Sequence, residues 1–174
     1  MASLETQTMA KYWVDAIRNN KDLIRKYVTN PALFERLASL GGSLKVLDSG
    51  CGEGYVSREL ARKGHKVVGI DASQYIIKEA KEAGIGNDDY IRGDVCQMPF
   101  SDESFDCVVS NFLLVELEQP ENFIKEVGRV LKPKGRFIFQ TLHPSLFISK
   151  TGQSEGRTVP DYFQTTKISE KIGR

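Results

Sequence analysis

Residues 45–55 read Lys-Val-Leu-Asp-Ser-Gly-Cys-Gly-Glu-Gly-Tyr, a short apolar run that leads into three glycines at alternate positions. The run is too short for a helix and predicts a buried strand. Gly50, Gly52 and Gly54 let the backbone turn sharply from this strand into a helix and leave space for a ligand beside it. The stretch therefore predicts a strand, a ligand-binding turn and a helix in succession.

The spacing of the glycines and the acid before them bear on the kind of ligand. Tyr55 stands where the dinucleotide pattern G-x-G-x-x-G has its third glycine. Asp48 ends the strand, and a carboxylate there disfavours a pyrophosphate but suits a cationic amino-acid group. A nicotinamide-dependent oxidoreductase is therefore a disfavoured alternative, which a titration with NADH would test.

Beyond this stretch, short apolar runs alternate with helical patterns. Such alternation predicts an α/β fold: a doubly wound, mostly parallel sheet with helices on both faces. The predicted strands are 45–47, 66–70, 90–92, 105–110 and 136–141, and the predicted helices between them are 55–63, 74–83 and 121–131.

The two ends of the chain have a different character from this core, which we assign to residues 43–148. Residues 1–42 are predicted to be helical, with Asn30 as N-cap and Pro31 as first residue of the second helix. Residues 149–174 are polar and predict a loop or a loosely ordered tail. The first helix is predicted over 9–28, with an apolar face of Met9, Trp13, Ile17, Ile24 and Tyr27.

Composition narrows the class of protein. The 174 residues fit one domain, and a net charge of +1 gives no sign of steering toward nucleic acid or a membrane surface. No apolar run approaches the length that spans a bilayer. The three cysteines form an odd set without C-x-x-C spacing, which favours neither a disulfide framework nor a metal site. We expect a cytoplasmic protein.

Two further acids follow predicted strands. Asp71 ends the second strand, where a carboxylate can accept hydrogen bonds from both hydroxyls of a ribose. The alternative is that Asp71 caps the next helix, but Ser73 is better placed for that. Asp94 follows the third strand and could receive an adenine amino group while a backbone N–H meets a ring nitrogen; the alternative is a turn aspartate.

Four segments together resemble a known family: 47–55, 69–73, 93–95 and 130–135. They are similar, in order and spacing over roughly 45–142, to the motifs of the class I S-adenosylmethionine-dependent methyltransferases. The small-molecule subfamily that includes the ubiquinone and menaquinone biosynthesis enzymes is the most similar in style. The resemblance implies methyl transfer from S-adenosyl-L-methionine to a small-molecule acceptor, with S-adenosyl-L-homocysteine as product, on a Rossmann-like sheet.

The same resemblance implies roles for individual residues. The glycine-rich turn would border the methionine part of the cofactor, Asp71 the ribose, and Asp94 with Val95 the adenine. Asn111 would face the methionine part and the substrate, and the first helix would form a lid, with core packing as the alternative for Trp13. The cofactor-binding set implied is Tyr12, Asp48, Gly50, Cys51, Gly52, Asp71, Ala72, Asp94, Val95 and Asn111.

The chain departs from the family pattern in two places. Val115 and Glu116 stand where the family often has a pair of histidines. The family sheet has seven strands in the order 3-2-1-4-5-7-6, and the sequence pattern shows no strands 6 and 7, which predicts a shortened or fragmentary chain. A module that binds the cofactor without turnover is then the alternative function. The fifth strand should form an exposed edge, covered by a second copy, a partner or the tail; light scattering would test this.

The two histidines have different predicted roles. His143 follows the fifth strand at the carboxyl edge and is the candidate general base if the acceptor is a hydroxyl. The alternative is a loop histidine that shapes the substrate wall. His65 precedes the second strand at the opposite edge and is predicted to be structural.

Overall fold

The computed structural model describes residues 4–19 and 21–141, and within them a single sheet of five parallel strands. The strand order β3-β2-β1-β4-β5 confirms the predicted doubly wound α/β architecture. Each predicted strand is present, with ends that differ by a few residues. The strands are β1 Lys45–Ser49, β2 Lys66–Asp71, β3 Asp88–Arg92, β4 Phe105–Asn111 and β5 Leu131–Gln140.

Helices cover both faces of this sheet. The predicted cap of α4 is confirmed, because the Ser73 hydroxyl accepts the Ile76 N–H at 3.3 Å. The helices are α1 Leu4–Arg18, α2 Asn30–Ala38, α3 Tyr55–Arg62, α4 Gln74–Glu82 and α5 Pro120–Val130, with a π-turn at Arg25–Thr29 and a 3-10 turn at Leu114–Glu116.

Alternate side chains of the central strands enter two cores. Val46 and Val109 face α2 and α3, whereas Leu47 and Val108 face α5 and the loop after β3. Burial on both faces explains why these strands are apolar throughout. The central strands are thus held rigidly, and their carboxyl ends form a fixed platform.

The predicted helix over 9–28 is wrong in extent and in orientation. α1 ends at Arg18, and a second helical segment starts a few residues later. The buried residues of α1 include the small side chains Ala10 and Ala16, while Trp13 is 43% exposed. The alternative role of Trp13, packing in the core, is therefore wrong as well. The small residues face the protein instead, which lets the helix lie close to its neighbours.

Asn30 is not an N-cap. Its backbone is already helical, at φ −65° and ψ −45°, because the π-turn at Arg25–Thr29 continues directly into α2. The Asn30 N–H bonds the Arg25 carbonyl in that wider turn. Pro31, which has no N–H to give, falls where the π-turn meets the α-helix, so the segment crosses the proline without ending.

Residues 132–135, which separate the predicted helix over 121–131 from the predicted strand over 136–141, form an irregularity within β5 rather than a connection before it. Leu131 pairs with Phe105 and Arg136 pairs with Cys107, so the residues between them bulge from the ladder. Lys134 takes a left-handed φ of 64° there. β5 is the terminal strand of the sheet formed by the described residues, and Phe139 on it is half-exposed. That a second copy or a partner covers this edge stays a prediction.

Residues 142–174, which include His143 and the predicted tail, lie outside the described residues. No helix within the described part has the length and apolar composition required to cross a bilayer.

Candidate functional site

The carboxyl edge of the sheet gathers the polar residues that the sequence singled out. Asp48, Asp71 and Asn111 lie in the last two residues of β1, β2 and β4, and Asp94 follows β3 after a single glycine. In a parallel sheet these ends lie side by side. The register confirms this, because Asp48 pairs with Gly69 and with Val109 on the two neighbouring strands.

The glycine-rich turn is tied to β2 by its backbone. The N–H groups of Gly50 and Cys51 both donate to the Ile70 carbonyl, at 2.9 and 3.1 Å. Gly50 has a left-handed φ of 67°, and a Cβ placed there would lie 2.8 Å from Cδ1 of Leu113. Glycine is therefore required at this position by conformation and by space.

The Tyr90 side chain packs against the glycine-rich turn, a role that the sequence did not indicate. Its ring lies so close to Gly69 that a Cβ there would come within 2.7 Å of Tyr90 Cδ1 and 2.9 Å of Cys51 Sγ. The Tyr90 hydroxyl donates to Asp88 Oδ2 at 2.7 Å. Cys51 is buried, and burial raises the pKa of its thiol. Only the backbone of Cys51 is thus available to a ligand.

Asp71 joins the glycine-rich turn to the start of α4. Its Oδ2 accepts the Gly52 N–H at 3.2 Å, and its Oδ1 accepts the Ser73 N–H at 2.9 Å. Burial raises the pKa of this carboxyl group. Each carboxylate oxygen can accept more than one hydrogen bond, so both retain capacity for a ligand.

An open cleft of about 470 Å³ lies beside Asp71, lined by Ala72, Arg92, Gly93 and Asp94. The Asp94 side chain is exposed, and its Oδ1 accepts the Cys96 N–H at 2.8 Å. Asp94 therefore does bond within its own turn, as the alternative predicted. The rest of its hydrogen-bond acceptor capacity faces solvent. Val95 is buried in the core against α5, which leaves its backbone as the part that could meet a ligand.

Asp48 is buried, and its Oδ2 accepts a hydrogen bond from the Ser57 hydroxyl of α3 at 2.6 Å. Burial raises the pKa of Asp48 to about 6. Glu53, also buried, pairs with Arg58 at 2.7 Å and lies 3.6 Å from Arg18 of α1. The glycine-rich turn is thus flanked by two shielded carboxyl groups.

Several buried polar atoms at this edge have no hydrogen-bond partner among the described residues. Asn111 is 8% exposed, and neither atom of its amide is bonded. Buried polar groups without partners are rare in folded proteins and are found where a ligand or water completes them. The atoms are Arg25 Nε, Asn30 Oδ1, Ser49 Oγ, Glu53 Oε1, Ser110 Oγ, Gln140 Oε1 and both amide atoms of Asn111.

The N-terminal segment reaches this edge at two points. Arg18 of α1 pairs with Glu79 of α4 at 2.7 Å in addition to its contact with Glu53. The Gln140 side chain of β5 donates to the Thr29 carbonyl at 3.0 Å. Tyr12 lies on the exposed side of α1, edge-on to Trp13 with ring centroids 5.6 Å apart.

Sequence reasoning missed Arg25 and Gln140 as residues of this edge. Gln140 could have been found from the strand alternation, since it pairs with Asn111 in the register and shares its face. Arg25 carries no such signal, because a charged residue in an amphipathic helix normally faces solvent.

The predicted structural role of His65 is confirmed: it is buried at the amino edge and accepts the Leu44 N–H at 3.3 Å.

The sheet order, the glycine-rich turn and the acids at the strand ends define a Rossmann-like cofactor-binding domain. A model of the methyltransferase domain family matches residues 47–139. A crystal structure of an S-adenosylmethionine-dependent methyltransferase from Mesorhizobium loti is similar with a TM-score of 0.61 and 32% identity, over 68% of this chain and 55% of that one.

Two curated relatives that the chain resembles are also methyltransferases. A malonyl-[acyl-carrier protein] O-methyltransferase of Erwinia pyrifoliae is 35% identical over 69% of this chain and 46% of its own length. A mitochondrial ubiquinone biosynthesis O-methyltransferase of Schizosaccharomyces pombe is 36% identical over 59% of this chain and 39% of its own length. The chain therefore belongs to the class I S-adenosylmethionine-dependent methyltransferase family. It spans less than half the length of these two relatives.

Proposed function

We propose that the chain transfers the methyl group of S-adenosyl-L-methionine to a small-molecule acceptor. The observation that carries the proposal is the concentration of unpartnered buried polar atoms at the carboxyl edge, around the glycine-rich turn. A ligand with hydroxyl, amino and carboxylate groups would complete these atoms, and the cofactor of this family has all three.

The residues at the edge fit the parts of this cofactor. Asp71 is proposed to accept the ribose hydroxyls, because its two oxygens sit at the end of β2 with acceptor capacity left. The open cleft at Ala72 and Asp94 would take the adenine, with the Val95 backbone donating to the ring. The backbone of Gly50–Gly52 and the free amide of Asn111 would border the methionine part.

The bound cofactor supplies a methyl group on a positively charged sulfur, which is already a strong electrophile. The contribution of the chain is therefore mainly alignment and exclusion of water, which can lower a barrier by roughly 7–11 kcal/mol. Asp48 contributes a shielded carboxyl group near the turn, which favours a nearby cation. Tyr12, on α1, is proposed to close over the site as part of a lid.

If the acceptor is a hydroxyl, we assign its deprotonation to His143. In the sequence, His143 comes three positions after Gln140, the last residue of β5, and Gln140 itself pairs with Asn111 at the carboxyl edge. A small-molecule acceptor is supported by the names of two relatives, one acting on a malonyl group on its carrier protein and one in ubiquinone biosynthesis. The proposed compartment is the cytosol, where free thiols such as those of all three cysteines are stable.

The proposal is tested by incubating the protein with methyl-labelled S-adenosyl-L-methionine and a panel of metabolite fractions, and by following label into products by mass spectrometry. We expect labelled product in at least one fraction. Binding of the cofactor with no labelled product in any fraction would instead favour the non-catalytic binding module.

With an acceptor in hand, His143→Ala separates the base from the binding site. Turnover should fall by about 10²–10⁴-fold while cofactor affinity, measured by calorimetry, stays unchanged. Near-normal turnover would mean that the acceptor is already nucleophilic or that another group is the base.

A further inference from the structure

The connection from β3 to β4, residues 93–104, differs from the other connections between strands. Among the described strands it is the one crossover without a helix, and its first part carries Asp94 and Val95, for which we propose adenine binding. A turn closed by the bond from the Gln97 N–H to the Asp94 carbonyl, at 3.1 Å, comes first. Met98 follows this turn directly, so the placement of Met98 determines where the turn lies.

Side chains of α5 hold both backbone polar groups of Met98. The Met98 N–H donates to Glu126 Oε2 at 2.6 Å, and the Met98 carbonyl accepts from a terminal nitrogen of Arg129 at 3.0 Å. The same arginine donates to the Phe100 carbonyl at 2.7 Å. The backbone of the connection is therefore fixed by two side chains of a helix that comes later in the sequence.

These contacts use the whole hydrogen-bonding capacity of Arg129. A guanidinium has five N–H donors in a rigid plane. Those of Arg129 go to both oxygens of Glu126, at 2.8 Å each, to the Met98 and Phe100 carbonyls, and to Asp102 Oδ1 at 2.8 Å. Hydrogen bonding from Arg129 lowers the pKa of Glu126, so the pair stays ionised at neutral pH. A planar, fully bonded group of this kind fixes direction as well as distance.

Apolar packing also holds this connection, but with less precision. Val95 and Met98 are buried in one core cluster with Phe123 and Val127 of α5. Apolar contacts are non-directional, whereas recognition of a ligand by hydrogen bonds requires its partners to lie within about 0.5 Å of the productive geometry. The bonds to the backbone of Met98 are directional, and they can supply that precision.

The cleft beside this turn has the groups that distinguish one purine from another. Asp94 lines the cleft and retains acceptor capacity, and the backbone N–H of Val95 follows it in the chain. Adenine offers an amino group as donor and a ring nitrogen as acceptor, so it matches a carboxylate next to an N–H. A displacement of the turn would weaken both bonds together.

We infer that Arg129 and Glu126 are positioning residues for the adenine base: they hold the turn at Asp94 and Val95 in place without touching the cofactor. This inference rests on the proposed function, because it presupposes that the base of the cofactor occupies the cleft beside Asp71. Selectivity for the base then depends on α5, a helix that contains none of the residues proposed to bind the cofactor.

The test compares two ligands that differ in the base alone, S-adenosyl-L-homocysteine and S-inosyl-L-homocysteine. Hypoxanthine has a carbonyl oxygen in place of the amino group and a proton on the neighbouring ring nitrogen, so it matches neither Asp94 nor the Val95 N–H. Calorimetry on the unaltered protein should show an affinity about 10-fold or more higher for the adenine ligand. In Arg129→Met this ratio should fall close to unity, mainly through a lower affinity for the adenine ligand.

Asp102→Asn is the matched control. It removes the charge of an exposed partner of Arg129 and leaves the bonds to Met98 in place, so the ratio should not change. Arg129→Lys keeps a cation beside Glu126 but loses the planar fork, and its ratio should be intermediate.

Thermal unfolding checks that each variant is folded. If Arg129→Met does not fold, Glu126→Gln provides the test, because it leaves one acceptor oxygen where two are bonded in the unaltered protein. The ratio should then fall in the same direction, but by less.

An unchanged ratio in these variants would overturn the inference even if both affinities fall, because the pair would then have a purely structural role. Equal affinities of the unaltered protein for the two ligands would overturn it as well, since the turn would not distinguish the bases. If the unaltered protein binds neither ligand, the proposed function itself fails. If it prefers the adenine ligand and the variants keep that preference, only the role of Arg129 and Glu126 fails.

Discussion

The two ends of the sheet differ in whether their polar groups have hydrogen-bond or ion-pair partners. At the amino end, Asp106 accepts the Lys45 N–H at 2.8 Å and pairs with Lys132 at 2.7 Å, and the Ser43 hydroxyl donates to the Gly64 carbonyl. At the carboxyl end, the amide of Asn111 has no partner among the described residues. The partly exposed polar groups at the amino end are thus paired with each other, whereas the buried amide at the carboxyl end is left unpaired.

The ionisable groups show the same contrast. Hydrogen bonding from Lys132 lowers the pKa of Asp106, whereas burial raises the pKa of Asp48 and of Asp71. A lowered carboxyl pKa stabilises the fold at neutral pH, and a raised one destabilises it. The amino end therefore contributes to stability, and the carboxyl end retains groups that a ligand must complete.

The largest effect should come from Asp48→Asn. Burial raises the pKa of Asp48 from 3.8 to about 6, so the folded protein keeps a proton that the unfolded chain has lost. The free energy of unfolding therefore falls as the pH rises through this window, by roughly 3 kcal/mol at most. The amide variant still accepts the Ser57 hydrogen bond and should be more stable at neutral pH by up to that amount, as measured by urea unfolding.

Asp106→Asn gives the matched comparison at the amino end. Because the pKa of Asp106 is lowered, its contribution to stability is present above pH 3.8 and is lost as the pH falls below that value. This variant should be less stable than the unaltered protein at neutral pH. A shift in the same direction for both variants would contradict the contrast between the two ends.

A smaller effect is expected for cofactor binding at Asp71. Asp71→Ala should weaken S-adenosyl-L-methionine binding by about 10- to 100-fold, because each charge-assisted hydrogen bond contributes roughly 1.5–3 kcal/mol. Asp106→Ala removes a carboxylate from the other end and should leave the affinity unchanged. Calorimetry measures both, and an unchanged affinity in a folded Asp71→Ala variant would remove Asp71 from the site.

The smallest effect concerns two left-handed glycines. Alanine is strained at Gly50 and at Gly86, where φ is 67° and 100°, but only at Gly50 would its Cβ meet Leu113. Gly50→Ala should therefore destabilise the protein more than Gly86→Ala, by about 1 kcal/mol or somewhat more, in denaturant unfolding. The difference should shrink in a Leu113→Ala background; if it persists there, the contact with Leu113 is not its cause.

The sheet and its carboxyl edge could be predicted because their signals are local in sequence. Asp48, Asp71 and Asn111 each end an apolar run, and parallel topology alone then brings them to one edge. The glycine-rich turn is equally local, since Gly50 must turn the chain whatever packs against it.

The N-terminal segment could not be predicted in the same way, because tertiary contacts decide it. No glycine or proline marks the end of α1 at Arg18, so the helical pattern continues in the sequence where the helix does not. The Arg25 side chain lies against the Phe112 ring, and the Gln140 side chain bonds the Thr29 carbonyl. Both Phe112 and Gln140 are far away along the chain. Pro31 does lie in the first turn of α2, as predicted, but no signal in the sequence marks the π-turn that leads into it.

The contact among Gly69, Tyr90 and Cys51 restricts how sequences of this kind can diverge. Gly69 has an ordinary strand conformation, so its lack of a side chain is imposed by the Tyr90 ring and the Cys51 sulfur and not by the backbone. Alanine at position 69 becomes admissible only when a smaller residue has replaced Tyr90 and the contact with Cys51 has also been relieved, because a Cβ there would lie within 3.0 Å of both side chains. The order in which such substitutions accumulate is therefore constrained, and a library that varies the three positions together should reach combinations that single-step mutation does not.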